Sequence, residues 1–468
     1  MPRLVVVSNR VADPRKPSAG GLAVALGEVL QAMGGLWFGW SGHLTEAGTR
    51  GRLHVQHAGP VTLATVDLSP DDHAGFYLGY SNGVLWPVFH YRLDLADFDA
   101  GFVGAYRRVN AAMARQLQPL LRPDDIVWVH DYHLIPLAFE LRALGCAQRI
   151  GFFLHIPMPP PLLLAAIPQA EWLVRCLCAY DLVGFQSQTD LLHFGRYIVA
   201  EVGAEPLGGH RWRAFGRQVE AGSFPIGIDV DEFAALTHAT EARDMHERMR
   251  REYQDRQVLL GVERLDYSKG LPQRIKAFAK LLRNHPEHLR RATLIQIVSP
   301  SREDLDSYTG LRQELESLCG AINGDFGELD WMPVRYIHRN VARRRLPGLY
   351  RLARVALVTP LRDGMNLVAK EFIAAQDPAD PGVLVLSRFA GAAEQLREAL
   401  LVNPYDTDGL ADTIEQALQM PLHERQRRHQ KLLERIREQD VHWWRRSFLE
   451  ALAATRPDEA GLLLPILA

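Results

Sequence analysis

Short aliphatic runs alternate along the chain with stretches in which apolar residues recur every three or four positions. Leu4–Val7 fits a buried strand, and after a Pro/Gly-containing loop over 11–21, Leu22, Leu26, Val29, Leu30 and Met33 fall at helical spacing. Val61–Val66, inside a polar region, predicts a hairpin arm. Ile126–Val129 predicts a strand and Leu134–Leu144 a helix; Ile150–Leu154 and Leu182–Phe185 are further strands, each followed by a helical pattern. The rhythm then restarts. Strands over Val258–Val262, Leu294–Val298, Ala356–Val358 and Val383–Leu386 are separated by helices over Leu271–Leu282, Leu305–Ile322 and Asn366–Ala375, and helices follow from about Asp408. Such alternation predicts an α/β protein with parallel sheets covered on both faces. A polar helical region, Asp229–Asp255, separates two doubly wound domains, 1–230 and 231–445, before a helical tail, 446–468. Open sheets of this kind bind ligands beyond the carboxyl ends of their strands, so the expected site lies where those ends face each other.

Composition narrows the function. Lys+Arg 53 against Asp+Glu 55 leaves a net charge of -2, without the basic excess that neutralises a nucleic-acid backbone. With 47% hydrophobic and 23% charged residues over 468 positions, the chain is long and apolar enough for large cores. The four cysteines, Cys146, Cys176, Cys178 and Cys319, make no disulfide framework and read as buried thiols. The first apolar run is too short for a signal peptide. The most apolar stretch, Gly151–Pro168, is broken by Pro157, Pro159, Pro160 and Pro161, so no membrane span is expected. A cytoplasmic, soluble enzyme or binding protein is the expectation.

Several candidate sites have a stronger structural reading. Gly79-Tyr80-Ser81-Asn82-Gly83 matches G-x-S-x-G, but a nucleophile elbow has a strand before it and a helix after it; here the strand-like run Val84–Phe89 follows, which predicts a turn. The neighbours His130, Asp131 and His133 at a strand end point different ways, which disfavours a shared metal. Asp229 and Asp231 precede a helical pattern and read as a helix cap. Neither G-x-G-x-x-G after the first strand nor a P-loop sequence is present.

Three stretches concentrate anion-binding chemistry. Gly261–Gly270 sets Arg264 and Lys269 just after a strand, two cations able to neutralise a diphosphate without a metal. Leu361–Glu371 follows a strand and opens a helix: Gly364 permits close approach, the first-turn N–H groups form an anion site, and Glu371 lies about 10 Å further along the helix, near the reach from a diphosphate to a ribose. The structural alternative is a helix capped by Asp363 with an adjacent Lys370–Glu371 charge pair. At the start, Arg10 ends the first strand, where it can clamp a phosphate, and Gly20-Gly21-Leu22 can fold over a sugar nucleotide.

These residues belong to longer motifs. Leu4–Arg10, Gly34–Gly42, Leu85-Trp86-Pro87, Val129–Leu134, Phe153–Pro157, Glu263–Gly270 and Thr359–Leu367 together resemble the trehalose-6-phosphate synthases, in order and up to about Asp406. The resemblance implies a retaining glycosyltransferase of GT-B fold, with two Rossmann-like domains facing across a cleft. It implies UDP-glucose, or another NDP-glucose, as donor and glucose 6-phosphate as acceptor, with no cofactor and no metal. Carried over by position, Gly21 and Leu22 meet the donor. Arg264 and Lys269 hold its diphosphate, Asp363 its glucose hydroxyls, the Gly364, Met365, Asn366 and Leu367 amides the sugar and diphosphate, and Glu371 the ribose. Arg10, Tyr77 and Arg302 bind the acceptor phosphate, with Trp40 and Trp86 nearby. Asp131 fixes acceptor hydroxyls, and His155 lies beside the donor sugar. The catalytic set so implied is Arg264, Lys269, Asp363 and His155.

Two positions depart from the family. Val341 stands where an aromatic residue is frequent near the nucleotide base, a contact expected mainly through backbone, and Arg335 adds a charge to which the sequence assigns no role. Neither nucleic acid nor membrane is an expected partner, and a homo-oligomer is left open. A transferase with another phosphorylated acceptor, such as glycerol 3-phosphate, and a non-catalytic sugar-phosphate-binding regulator are the alternatives.

Overall fold

In the computed structural model, residues 2–13, 26–27, 29–31, 33–46, 49, 51–301 and 306–455 are described. The chain forms two compact units. One runs to Pro225 and includes the residues from Trp444 onward; the other is Ile226–Trp443.

The first unit is built on a 10-stranded sheet: β1 (Leu4–Arg10), β2 (Gly35–Leu44), β3 (Leu53–Ala58), β4 (Val61–Leu68), β5 (Ile126–His130), β6 (Arg149–Phe153), β7 (Leu182–Phe185), β8 (Glu205–Gly208), β9 (Arg211–Ala214) and β10 (Arg217–Ser223). Their order is β3-β4-β2-β1-β5-β6-β7-β10-β9-β8. From β4 to β10 every pair is parallel, and antiparallel hairpins close both edges. Val5, Val6 and Val7 of β1 are fully buried, as the central strand of a sheet covered on both faces requires. The helix Val441–Ala454 crosses into this unit at Trp444. Trp444 and Phe448 lie with ring centroids 4.8 Å from that of Trp128 on β5, so the tail's aromatic residues cover one face of the sheet.

The second unit holds β11 (Gln257–Arg264), β12 (Ala292–Ser299), β13 (Val334–His338), β14 (Val355–Val358), β15 (Val383–Ser387) and β16 (Leu400–Val402). All pairs are parallel, in the order β13-β12-β11-β14-β15-β16. Counted from β11 this is 3-2-1-4-5-6, the doubly wound order, whose direction reverses between β11 and β14. In the first sheet the reversal falls between β1 and β5.

The strand-like run Val84–Phe89 is a correction. Gly79–Gly83 lies in a π-helix, His73–Leu85, which continues into an α-helix, Trp86–Phe89. Every residue from Val84 to Phe89 is buried, and an apolar run buried on all sides carries no period to separate helix from strand. Pro87 sits where the helix passes from π to α. Ser81 is fully buried within the π-helix, so it is no exposed nucleophile.

Candidate active site

The loops at the reversal point of the second sheet carry most of the expected donor residues. β11 ends at Arg264, and Asp266 accepts the Ser268 N–H at 2.9 Å, turning the chain back through a single 3-10 turn, Tyr267–Lys269. Gly270 then takes φ 63°, and a Cβ there would lie 2.3 Å from the Thr359 carbonyl oxygen, so only glycine lets this loop abut the end of β14. The two loops are stitched together. Leu361 N–H donates to the Ser268 carbonyl at 2.7 Å, and Lys269 Nζ donates to Asp363 Oδ2 at 2.6 Å. On the far side the Asp363 loop is pinned to the end of β15: Gly391 N–H donates to the Asp363 carbonyl at 3.1 Å, and Ala392 N–H to the Met365 carbonyl at 3.0 Å.

Asp363 does not cap the helix that follows. Asn366 does: its side chain accepts the Ala369 N–H at 3.3 Å and donates to Asp363 Oδ2 at 3.0 Å, from a backbone held at φ 81°. Of the first-turn donors that a helix leaves unpaired, one is thereby taken by the cap. The Asp363 carboxylate, fixed by an ammonium and an amide, presents a directed acceptor at a helix N-terminus. Glu371, on the same helix (Leu367–Ala375), accepts a hydrogen bond from the Tyr350 hydroxyl at 3.2 Å. Burial pushes its carboxyl up to about 7; the nearby Arg343 guanidinium and the Tyr350 hydroxyl act against that rise. Val341 is half-buried just before the 3-10 turn Arg343–Arg345. Arg335 on β13 bonds Glu252 Oε1 and the Tyr253 hydroxyl, each at 2.8 Å, so it ties β13 to the end of the helix Thr240–Glu252.

Sequence reasoning missed what supports these residues. Arg274 is fully buried and fans out to Glu263 Oε1 at 2.7 Å, Gln296 Oε1 at 3.0 Å and Thr359 Oγ1 at 3.0 Å, locking the end of β11 to the middle of β12 and to the residue that follows β14. Lys370 is also fully buried; its ammonium reaches the Ile226 carbonyl at 2.7 Å and Gln395 Oε1 at 2.8 Å, and burial lowers its pKa to about 7. In the sequence both look like ordinary cations of amphipathic helices. Only their burial marks them.

In the first unit, the expected acceptor residues gather at the ends of β1, β2 and β5. The Arg10 guanidinium lies 5.9 Å from the Trp40 ring centroid. The Trp40 ring is 5.7 Å from Tyr77 and 5.3 Å from His73, and Tyr77 stacks on His133 at 5.8 Å, so aromatic rings floor the space beside the guanidinium. Trp86 is buried against His90 and Tyr132. Asp131 stands at φ 75°, a strained backbone for a non-glycine residue, and its Oδ1 accepts the His155 N–H at 3.2 Å. His155 Nε2 lies 3.0 Å from His130 Nδ1, and its Nδ1 lies 3.4 Å from the Gln186 amide nitrogen. Burial lowers the His155 pKa to about 3, so the ring is neutral, with both nitrogens already engaged. Gln186 is thus an orienting residue that the motifs did not reveal, and His130, singled out in the sequence only as a disfavoured metal ligand, orients the same ring. Gly21, Leu22 and Arg302 lie outside the described residues.

The metal readings do not gather ligands. Asp229 caps the helix Val230–Leu236 by accepting the Glu232 N–H at 2.8 Å, whereas Asp231 lies 3.7 Å from Arg437. His130, Asp131 and His133 are each turned to a different partner. The four cysteines are free and buried. No helix among the described residues is long and apolar enough to cross a membrane.

Two doubly wound α/β units, each with its polar side chains collected where the strand order reverses, match the architecture of the GT-B glycosyltransferases. The chain belongs to glycosyltransferase family 20, which it matches over residues 6–454. It is 47% identical over 460 residues to a trehalose-6-phosphate synthase of Enterobacter sp. (strain 638), covering 98% of this chain and 96% of that one. A trehalose-6-phosphate synthase of Sinorhizobium fredii is 48% identical over 97% of this chain and 99% of its own. Among solved structures, an alpha,alpha-trehalose-phosphate synthase (UDP-forming) of Burkholderia xenovorans in complex with glucose-6-phosphate matches with a TM-score of 0.93 and 49% identity, over 97% of this chain and 100% of that one. An E. coli trehalose-6-phosphate structure bound with UDP-2-fluoro glucose matches with a TM-score of 0.93 and 45% identity, over 97% and 100%.

Proposed function

We propose that this enzyme moves glucose from UDP-glucose, or another NDP-glucose, to glucose 6-phosphate with retention, forming α,α-trehalose 6-phosphate and the nucleoside diphosphate. The observation that carries this reading is the loop pair at the reversal point of the second sheet. There Lys269, Asp363 and a helix N-terminus are held within hydrogen-bonding distance of one another, with Glu371 further along the same helix. The relatives' glucose-6-phosphate and UDP-2-fluoro glucose complexes support the choice of substrates.

In this mechanism Lys269, Arg264 and the amides of Gly364–Leu367 take up the charge of the departing diphosphate. Asp363 orients the glucose hydroxyls, and Glu371 binds the ribose. Asp363 is committed to Lys269 and Asn366, which suits a directed acceptor better than a nucleophile. The two-carboxylate double displacement of retaining glycosidases is therefore replaced by a front-face route. The acceptor hydroxyl enters on the side the diphosphate leaves and gives its proton to the departing phosphate oxygen. Positioning and charge stabilisation supply the acceleration. No metal takes part, and Arg10, Tyr77 and Arg302 clamp the acceptor phosphate. The neutral His155 ring borders the donor glucose without acting as an acid. The test is incubation of the purified protein with UDP-, GDP- or ADP-glucose and a panel of acceptors, glucose 6-phosphate and glycerol 3-phosphate included. Nucleoside diphosphate release with glucose 6-phosphate, undiminished by EDTA, is expected; release only with another acceptor would overturn the assignment.

Two further outcomes follow from local geometry. Gly42 has φ 89°, and a Cβ there would lie 2.6 Å from Arg10 Nη2. Gly42→Ala displaces the guanidinium, and it should raise the glucose 6-phosphate KM about tenfold, the equivalent of ~1.4 kcal/mol, with kcat and the donor KM little changed. Initial-rate kinetics with each substrate varied in turn decide it, since equal effects on both KM values would remove Arg10 from the phosphate clamp. Glu371 gives a pH effect. Below about 7 its carboxyl holds a proton and is a poor acceptor for two ribose hydroxyls; above that it is ionised. The donor KM should fall as pH rises from 6 to 8, and Glu371→Gln should flatten that dependence. A slope that survives the substitution would assign the titration to another group.

A further inference from the structure

At the opposite end of the second sheet from the candidate donor loops, two imidazoles and two carboxylates converge. The helix after β11, Leu271–Asn284, ends with His285 as its cap and is followed by Pro286-Glu287-His288 just before β12 begins. The helix after β16, Thr407–Gln419, brings Glu415 to the same place. His285 Nδ1 lies 3.4 Å from Glu287 Oε1 and 3.8 Å from Glu415 Oε1, and one ligand atom from each of the three residues lies within 4.8 Å of the others.

The 3.4 Å separation already matches a small cation, and the 3.8 Å one lies a few tenths of an ångström beyond it. A tetrahedral ion with bonds of about 2.0–2.2 Å to nitrogen and oxygen sets its ligand atoms about 3.3–3.6 Å apart. The remaining contacts orient the ligands. His288 and Glu415 are both buried, and His288 Nε2 bonds the second oxygen, Oε2, of Glu415, the arrangement in which an outer partner fixes a metal-binding side chain. The Gln419 amide also donates to Glu415 Oε1. A cation is favoured electrostatically as well, because two carboxylates face one imidazole at the negative end of a 14-residue helix.

We propose that His285, Glu287 and Glu415 form a structural site for a divalent transition-metal ion of the zinc type, clamping the helices Leu271–Asn284 and Thr407–Gln419 together. A mixed imidazole and carboxylate set suits zinc and its first-row neighbours, and three protein ligands leave a fourth position for water. The site takes no part in glucosyl transfer. It acts on the stability of the second unit, where Lys280 Nζ already joins the same two helices through Asp408 at 2.6 Å.

The test uses the full chain, stripped with EDTA and dialysed, then titrated calorimetrically with Zn²⁺ alone. Expected are one tight site per chain and, at a hundredfold excess over Kd, a rise of about 5–10 °C in the melting of the second unit. Glu287 is exposed, so Glu287→Gln leaves the fold unstrained; it and His285→Ala should each weaken zinc affinity at least tenfold. Glucosyl transfer by both variants should match the parent. Absence of a tight site, or unchanged stoichiometry and affinity in both variants, would overturn the proposal and leave an ordinary imidazole–carboxylate network.

Discussion

Replacing Lys269 with Ala should lower kcat at least about 100-fold, the equivalent of ~2.7 kcal/mol, while the protein stays folded. Its ammonium is nearly buried and 2.6 Å from Asp363 Oδ2, in surroundings where a fixed charge acts far more strongly than in water. Donor cleavage adds one negative charge to a diphosphate that already carries two. An ammonium already held in position stabilises that charge without reorganising. The substitution also frees Asp363 from one of its anchors, so the acceptor proposed for the glucose hydroxyls loses its direction. Measuring nucleoside diphosphate release at saturating donor and acceptor, with circular dichroism to establish folding, gives the answer. Turnover within twofold of the parent would remove Lys269 from the chemistry, and a rise in donor KM alone would limit it to ground-state binding.

The second large effect falls on stability. Arg274→Met should destabilise the second unit by about 3–5 kcal/mol, because it strands Glu263 without its buried partner. Burial already pushes the Glu263 carboxyl upward against the pull of Arg274 and Lys269. Gln296 and Thr359 lose a donor in the same step. Urea unfolding followed by a probe in the second unit should show a lower midpoint at unchanged slope. The double replacement Arg274→Met with Glu263→Met should recover much of the loss, since a buried ion pair exchanged whole for apolar side chains is often neutral. A single variant as stable as the parent would mean that water reaches Glu263. Because Arg274 joins β11, β12 and the residue after β14 beneath the Lys269 loop, weaker donor binding should accompany the loss.

The alternating rhythm of the chain was legible because strands buried on both faces are runs such as Val5–Val7 and Leu259–Leu260, while the covering helices keep one polar side. Less legible were β13, which carries Arg335, Tyr336 and His338 among five residues, and the hairpin β8–β9 at the sheet edge, of which β8 is largely exposed. The π-helix over His73–Leu85 escaped for another reason: two small-residue turns' worth of glycine and serine suggested a break, yet burial and packing held the segment helical. Tyr77 is presented from that segment beside Trp40. The Asp229 cap was readable, because an acidic residue just before an apolar-periodic stretch has one dominant local use.

The sequence by itself determined the two-unit α/β plan, the family and the loops to which the proposed chemistry is assigned, because strand and helix periodicity and motif spacing are local properties of the chain. Tertiary structure decided which side chains those loops hold together. Lys269 and Asp363 are 94 positions apart, Arg274 and Thr359 are 85 apart, and His285 and Glu415 meet only when β12 and β16 have been placed in one sheet. Burial was decided there too. Nothing in the sequence distinguishes Lys370 from a solvated helix residue, and the spacing that singled out Glu371 says nothing of its burial; it is the packed surroundings that move both proton affinities toward neutrality.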